Sequence, residues 1–577
     1  MLLCAKIKGN SYLGIPRNAV ASPITYSSFI PKRFVLEFYT KPGGIVNEKI
    51  TIFEMPFAGI FTITQNIRRL YFMERASGIL MSISSLPSPY GIGTLGRAAY
   101  EFADWLHKSG QRYWQMLPLG PTSYGDSPYQ SFSSFAGNPY FIDLDMLVED
   151  KLISADDISG IDFGSDPRHV DYGKLFEERF KVLALAKENG WGRDIADVLK
   201  FQSENSWVHD YALYMACKRH FGMKSWIDWP DQALRFRDPD VLNQYRAELK
   251  DDIELFIYIQ FLFFKQWNAL KEYVHSLGIK IIGDIPIYVS LDSADVWSEP
   301  YYFDLDDQYI PKDVAGVPPD YFSKDGQLWG NPLYNWDKMR EDGYGWWIRR
   351  IGGICELFDV IRIDHFRGFS EYWAVPYGKP SAKFGKWKEG PGIDLIGRLS
   401  GWFNETNFIA EDLGTPTPAL KTLLAESGWP GMKVLEFAFD SEEESDYLPH
   451  TYDNHCICYT GTHDNAPLLE WLDGASKKDI AFALDYLGIK RKKDFLWAVI
   501  RAGQSSIADL FIAQMQDYLE LGAGNRMNMP STTGNNWTWR LLPGELTDEL
   551  SERILHITRM YGRCPKAQSV TSVSPLS

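Results

Sequence analysis

A chain of 577 residues, 45% hydrophobic and 23% charged, is long enough to bury a large core, and its composition excludes a disordered or fibrous protein. The formal net charge of -16 argues against nucleic acid or an anionic membrane surface as the main partner. No apolar run reaches the length of a membrane span; the nearest, Leu255 to Phe264, is interrupted by Gln260 and continues as an amphipathic helix.

Residues 1–72 stand apart. Their only acids are Glu37, Glu48 and Glu54, they are patchily β-prone, and they lack the regions of a signal peptide. They read as an atypical, poorly ordered extension, with the functional protein starting near Met73. From Ser77 the chain becomes regular. A strand at GILMSI, a Pro/Gly-rich turn and an amphipathic helix over 98–109 lead to a second strand at RYWQMLPL. The loop GPTSYGDSPYQSF follows, and residues from about 145 to 250 read as an inserted helical subdomain. A helix over about 253–277 feeds the strand IKIIGDIPI, and about 290–345 is a loop-rich insertion. Strand-like runs resume at Val360, Phe408, Met432 and Cys456, with helices between them. A late helix over about 497–518 precedes a polar loop, and residues 563–577 read as a flexible tail.

Strands alternating with helices, with a count near eight, suggest a (β/α)8 barrel with helical and loop-rich insertions. A doubly wound open sheet is the runner-up, but no G-x-G-x-x-G follows the first strand. Of the six cysteines (Cys4, Cys217, Cys355, Cys456, Cys458 and Cys564), none forms a C-x-x-C pair. A zinc site or disulfide framework is not expected, which fits a reducing cytoplasm.

The stretch FDVIRIDHFRGF, residues 358–369, anchors the functional reading. Its apolar run is a buried strand ending in charge. Arg362 and Asp364 are two apart and so share one side of that strand. A guanidinium beside a carboxylate lowers its pKa, which suits a carboxylate nucleophile. In a barrel the catalytic groups sit at C-terminal strand ends, and four such ends carry acids: Asp284, Asp364, Glu411 and Asp464. Carboxylates stabilise the oxocarbenium-like transition state of glycosidic cleavage, one attacking the anomeric carbon while a protonated acid serves the leaving oxygen. Arg362 marks Asp364 as the ionised partner, leaving Glu411 as the better proton donor. Asp412 faces the other way on an alternating strand and reads as structural.

RIDHFRGF, AEDLG and YTGTHDN resemble the conserved regions of the α-amylase superfamily. WQMLPLGPTSYGDSPYQSFSSFAGNPY, GDIPIYV, VAGVPPDYFSKDGQLWGNPLYNW and RMNMPSTTGNNWTWRL are similar to amylomaltases, the 4-α-glucanotransferases of glycoside hydrolase family 77. The resemblance runs from about Met73 to about Gly562. It implies a retaining double displacement on α-1,4-glucans, with maltooligosaccharides as donors and glucose or maltooligosaccharides as acceptors. Asp364 matches the nucleophile, Glu411 the general acid/base and Asp464 the third, sugar-binding carboxylate. Arg362 matches the arginine holding the nucleophile, Asp284 an acid supporting it, and His463 a sugar-contacting histidine. Tyr129 matches an aromatic platform and Tyr124 a tyrosine of a secondary glucan site. The segment from Gly316 to Gln327 resembles a mobile loop over the cleft that carries Tyr321 and Phe322, with Trp329 and Asn331 following. The calcium sites of α-amylases do not carry over, so neither metal nor cofactor is expected. A hydrolase using the same carboxylates and a non-catalytic glucan-binding protein are the alternatives. The aromatic flap disfavours the first, and the intact carboxylate set disfavours the second.

Overall fold

The computed structural model describes residues 73–564, apart from 124, 320–322, 415 and 533. The extension expected over 1–72 therefore lies outside the described residues. Twelve described strands fall into two sheets: β1 (Ala76–Leu80), β2 (Tyr113–Gln115), β3 (Lys280–Ile285), β4 (Asp313–Val317), β5 (Gln327–Pro332), β6 (Val360–Ile363), β7 (Glu371–Pro376), β8 (Lys386–Glu389), β9 (Asn407–Ala410), β10 (Gly431–Val434), β11 (Cys456–Tyr459) and β12 (Leu510–Gln514). Eight of them run parallel in the order β10-β11-β12-β1-β2-β3-β6-β9. The two ends of that sheet meet where the Ala410 N–H donates to the Pro430 carbonyl at 2.9 Å, curling it into a (β/α)8 barrel. Asp412 braces the seam by accepting from the Met432 N–H at 2.7 Å, the structural role its position predicts.

These strands are short and apolar because both of their faces are covered. Every residue of β1, β6, β11 and β12 is buried. Cys456 and Cys458 are buried on β11 as unpaired thiols. Two pairs of polar side chains join barrel strands, one across the interior and one between neighbours. Tyr459 on β11 donates to Gln115 Oε1 on β2 at 2.9 Å, which joins two strands that are not neighbours and so crosses the interior. Asp284 on β3 stands in register with Arg362 on β6.

The eighth strand corrects the sequence reading. The expected late helix over 497–518 is a helix at Phe495–Ser505, then β12, then a single turn at Met515–Tyr518. The segment LFIAQ is too short and too uniformly apolar for periodicity to separate strand from helix. The barrel closes only with it in place. Similarly, the run from Met432 to Phe437 is strand only to Val434, after which Leu435–Phe437 winds into a 3-10 turn.

Eight helices between Leu144 and Ser276, the longest Lys250–Ser276, lie between β2 and β3. The region after β3 is not all loop: β4 and β5 join β7 and β8 in an antiparallel sheet, order β5-β4-β7-β8, with a small core of Val314, Val375 and Ala382 against Trp373. Alternation along β5 sends Gln327, Trp329 and Asn331 to one side, toward the barrel mouth.

Arg563, read from the sequence as the first residue of a tail, is fully buried. It donates to the carbonyls of Gln504, Ala76, Asp509, Gly503, Ser506 and Ala508, where β1 and β12 begin. Arg75 shares three of these acceptors. Removing Arg563 takes a charged donor from all six, although the Asp509 and Gly503 carbonyls keep the Ala76 and Ser506 N–H groups. The loss is of charge-assisted hydrogen bonds, worth roughly 1.5–3 kcal/mol each at most and only partly additive, and not of stranded groups. Arg563→Ala is therefore expected to lose about 3 kcal/mol of stability. An unchanged urea midpoint would contradict this anchoring role.

Candidate active site

The four acids predicted at strand ends meet at one barrel mouth, and a single buried cation organises two of them. Arg362 is 3% exposed. Its Nη1 lies 2.5 Å from Asp284 Oδ2 and 3.0 Å from Asp364 Oδ1, and its Nε meets Met432 Sδ at 3.4 Å. Burial opposes the charge, but Asp284 and Asp364 outweigh it and the guanidinium stays cationic. Asp284 is itself buried and also accepts from the Tyr129 hydroxyl at 2.9 Å.

Asp364 departs from the electrostatic expectation. Burial is the largest influence and pushes its pKa up to about 6; Arg362 and His463 pull it down, and Asp284 and Asp464 add to the rise. The arginine limits the shift without reversing it, because desolvation of a carboxylate among other carboxylates is the stronger effect. Asp364 still ionises below neutrality. Glu411, at the end of β9, is pushed further, up to about 8, first by burial and then by the Asp364 charge. Its Oε2 accepts from the His365 N–H at 2.6 Å and its Oε1 from the Leu413 N–H at 3.1 Å. These bonds favour the ionised form but do not offset the burial. The two carboxyls thus differ in protonation at pH 7, the division of labour that acid–nucleophile chemistry needs.

Asp364, His463 and Asp464 line a cleft of about 1000 Å³, together with Tyr129, Trp329 and Asn331. Glu411 does not line it in this conformation. His463 is buried: its ring stacks on Tyr129 at 4.7 Å between centroids, and its Nδ1 lies 3.1 Å from the Tyr129 hydroxyl. Asp464 is nearly half exposed, with His463 Nε2 3.4 Å from its Oδ1. Trp329 stands edge-on to His365, centroids 4.8 Å apart. The Asn331 side chain donates to the Val289 carbonyl at 2.8 Å and accepts from Gln130 Nε2 at 3.0 Å. Tyr124, Tyr321 and Phe322 lie outside the described residues.

Several cleft residues escaped the sequence reading. Asn528 Nδ2 donates to Asp464 Oδ1 at 2.6 Å, and Trp537 packs against both Tyr129 and His463. Both lie in the segment RMNMPSTTGNNWTW, which carried part of the family resemblance without singling out either residue. His365 occupies the left-handed region (φ 50°), and burial, reinforced by Arg367, lowers its ring pKa to about 4, so it is neutral at pH 7. Among the described residues no cluster of His, Cys, Asp and Glu is arranged to hold a metal ion.

One carboxyl ionised at pH 7, one still protonated and a third beside a histidine, in a cleft walled by aromatic rings, suit cleavage of a bond at a sugar's anomeric carbon. The comparisons with known proteins agree. The sequence profile of the 4-alpha-glucanotransferase family matches residues 81–546. The chain is 46% identical to a 4-alpha-glucanotransferase of Clostridium butyricum, across 84% of this chain and 100% of that protein. It is 45% identical to the 4-alpha-glucanotransferase of Thermus thermophilus, across 84% and 98%. The solved amylomaltase of Streptococcus agalactiae in complex with acarbose superposes with a TM-score of 0.84 at 44% identity, across 85% of this chain and 100% of that one.

Arg362→Met removes the cation and leaves two carboxylates desolvated without it. We expect a loss of roughly 3–5 kcal/mol at pH 7. A carboxyl whose folded pKa is raised destabilises the fold above that pKa and ceases to do so once protonated. The deficit should therefore shrink as pH falls through the Asp364 titration. Urea denaturation at pH 7 and pH 5 tests this, and a deficit that grows toward pH 5 would refute it.

Proposed function

The chain belongs to the 4-alpha-glucanotransferases of glycoside hydrolase family 77, and from that premise we propose how its residues carry out the transfer of α-1,4-glucan segments. The single observation that carries the reading is the pairing of Asp364, held by Arg362, with Glu411, which keeps its proton to higher pH.

In the first step an Asp364 carboxylate oxygen attacks the anomeric carbon of the donor maltooligosaccharide. The glycosidic bond breaks, and the departing 4-oxygen takes the Glu411 proton. A covalent glycosyl-aspartate remains, and the shortened donor, glucose in the limiting case, leaves. In the second step Glu411, now ionised, takes the proton from the 4-hydroxyl of an acceptor, glucose or a maltooligosaccharide. That oxygen attacks the anomeric carbon and releases Asp364. Two inversions give net retention, a geometry that places the two carboxyls roughly 5–5.5 Å apart. Glu411 reaches the leaving oxygen by turning from the His365 and Leu413 amides once glucan fills the cleft, as catalytic hydrogen bonds tighten in the bound state.

Arg362 spends one donor on each of two carboxylates, which orients Asp364 while Asp284 shares the cation. Asp464 and His463 bind the hydroxyls of the reacting sugar. Tyr129 offers its ring, fixed by hydrogen bonds to Asp284 and His463. Trp329, Asn331 and Trp537 line the cleft, and with glucan filling its volume they help to exclude bulk water, so that an acceptor hydroxyl outcompetes hydrolysis. The unpaired thiols of Cys217, Cys355, Cys456, Cys458 and Cys564 suit a reducing cytoplasm as the place of reaction.

Incubation with pure maltotriose, resolving products by length and counting reducing ends, tests the assignment. Glucose plus a ladder of longer oligomers, with few new reducing ends, is expected. Shorter sugars alone, with rising reducing ends, would make the protein a hydrolase. Asp364→Asn should lose at least about 10³-fold of the transfer rate with its fold intact, since the nucleophile and its partners act as a unit. Near-normal transfer by that variant would sink the mechanism.

The pH dependence of kcat/KM should be bell-shaped. Activity rises with pH as Asp364 ionises near the value of about 6 and falls as Glu411 loses its proton near about 8. A profile flat between pH 5 and 9 would contradict this assignment of acid and nucleophile.

A further inference from the structure

The loop after β11, residues 460–467, presents His463 and Asp464 to the cleft, and beneath it lies a group of charges that the reaction scheme does not use. Glu436 follows β10 and Asp517 follows β12, so they rise on either side of β11. The Glu436 carboxyl faces the Ala466 amide and the Asn465 side chain. Asn465 Oδ1 in turn accepts from the Thr462 N–H at 2.9 Å and the Thr462 hydroxyl at 3.0 Å, closing the turn that bears His463 and Asp464. Asp517 Oδ1 accepts from the Leu468 N–H at 2.7 Å. Arg526 donates to the Asp464 carbonyl at 3.1 Å, feels the Glu436 charge, and stands 3.6 Å from Glu470 Oε1.

These are more buried ionisable groups than closing a loop requires. Glu436 Oε2, Glu470 Oε2, Asp517 Oδ2 and Arg526 Nε are all buried without a hydrogen-bond partner. Each such group costs stability, and a turn held by apolar packing and one acceptor would avoid that cost. The arrangement converges on the two residues that touch the sugar.

We propose that Glu436 is a positioning residue for glucan transfer: through Asn465, Ala466 and Arg526 it fixes the loop that presents Asp464 and His463 to the reacting sugar. The inference rests on the reading of Asp464 as a sugar-binding carboxylate. Glu436 acts through Asp464 and touches no substrate, so its loss lowers kcat more than it raises KM. Because burial and Asp517 push its pKa up to about 8, Glu436 is protonated at pH 7. A glutamine, whose NH2 donates and whose carbonyl accepts, then comes close to it, whereas a leucine of similar size offers neither.

The test is a double-mutant cycle at pH 7 in the full chain, with an activated α-maltosyl fluoride donor and a maltooligosaccharide acceptor so that weak variants remain measurable. Glu436→Leu should lower kcat at least tenfold with a smaller change in KM, and Glu436→Gln should restore most of it. In an Asp464→Asn background the Glu436→Leu loss should largely vanish, because the group it positions is gone. Asn465→Ala probes the same relay and serves if Glu436→Leu fails to fold. A folded Glu436→Leu or Asn465→Ala variant with kcat within twofold of the parent would overturn the proposal. So would a loss that multiplies fully with Asp464→Asn. If Asp464→Asn alone leaves transfer intact, it is the underlying reading of Asp464 that fails.

Discussion

The site depends on one buried cation. Arg362 lies inside the barrel, where a guanidinium is tolerated only with anions at hand. The register of β3 against β6 puts Asp284 directly opposite it, and Asp364 follows one pleat later on the same side. Asp284 is the fully desolvated partner and Asp364 the one that also faces the cleft. The barrel thereby supplies a carboxylate fixed in direction and still open to substrate. Tyr129 extends the arrangement from Asp284 to His463, tying a loop after β2 to one after β11.

The electrostatics follow from crowding acids around that cation. Asp284, Asp364, Glu411 and Asp464 meet at one barrel mouth, so desolvation and mutual repulsion raise carboxyl pKa values, and the single positive charge decides which is raised least. Asp364 touches Arg362; Glu411 touches only backbone amides. Contact with the guanidinium separates the carboxyl that ionises first from the one that keeps its proton longer. Two carboxyls that influence each other lose their protons in sequence, and this keeps one of each form present around neutrality.

This much was legible in the sequence because it follows strand period. Arg362 and Asp364 share a face by spacing alone, and acids at strand ends converge in any parallel barrel. The expected fall in the Asp364 pKa did not follow, since spacing reveals the neighbouring cation but not the burial that outweighs it. β12 was hidden for a different reason: five apolar residues between helical stretches carry no period that separates strand from helix. The small sheet of β4, β5, β7 and β8 was missed because its strands are short, β4 and β5 contain Gly and β8 contains Lys, and its central pair, β4 with β7, joins residues more than fifty apart, as Gly316 with Trp373. Asn528 and Trp537 lie on a loop, where no periodicity constrains direction, and only the folded chain brings them to Asp464 and His463.

Non-glycine residues with positive φ occur across the fold, and in two places they stand beside the cleft carboxyls. His365, next to Asp364, sits at φ 50°, and that turn lets its N–H reach Glu411. On the opposite wall Ser531, Asn535 and Trp537 all adopt positive φ within seven residues. Such positions cost about 1–3 kcal/mol each and persist only where surrounding contacts over-determine them. Here the contacts are visible: the Trp537 N–H bonds to the Met527 carbonyl at 2.7 Å, its own carbonyl accepts from the Tyr172 hydroxyl at 2.9 Å, and the Met529 N–H bonds to Asn536 Oδ1 at 3.0 Å. A relaxed loop would not press an indole against Tyr129 and His463 while also turning Asn528 onto Asp464. The helical insertion, through Tyr172, therefore shapes the cleft wall around Tyr129 and His463 although it contributes none of the four carboxyls.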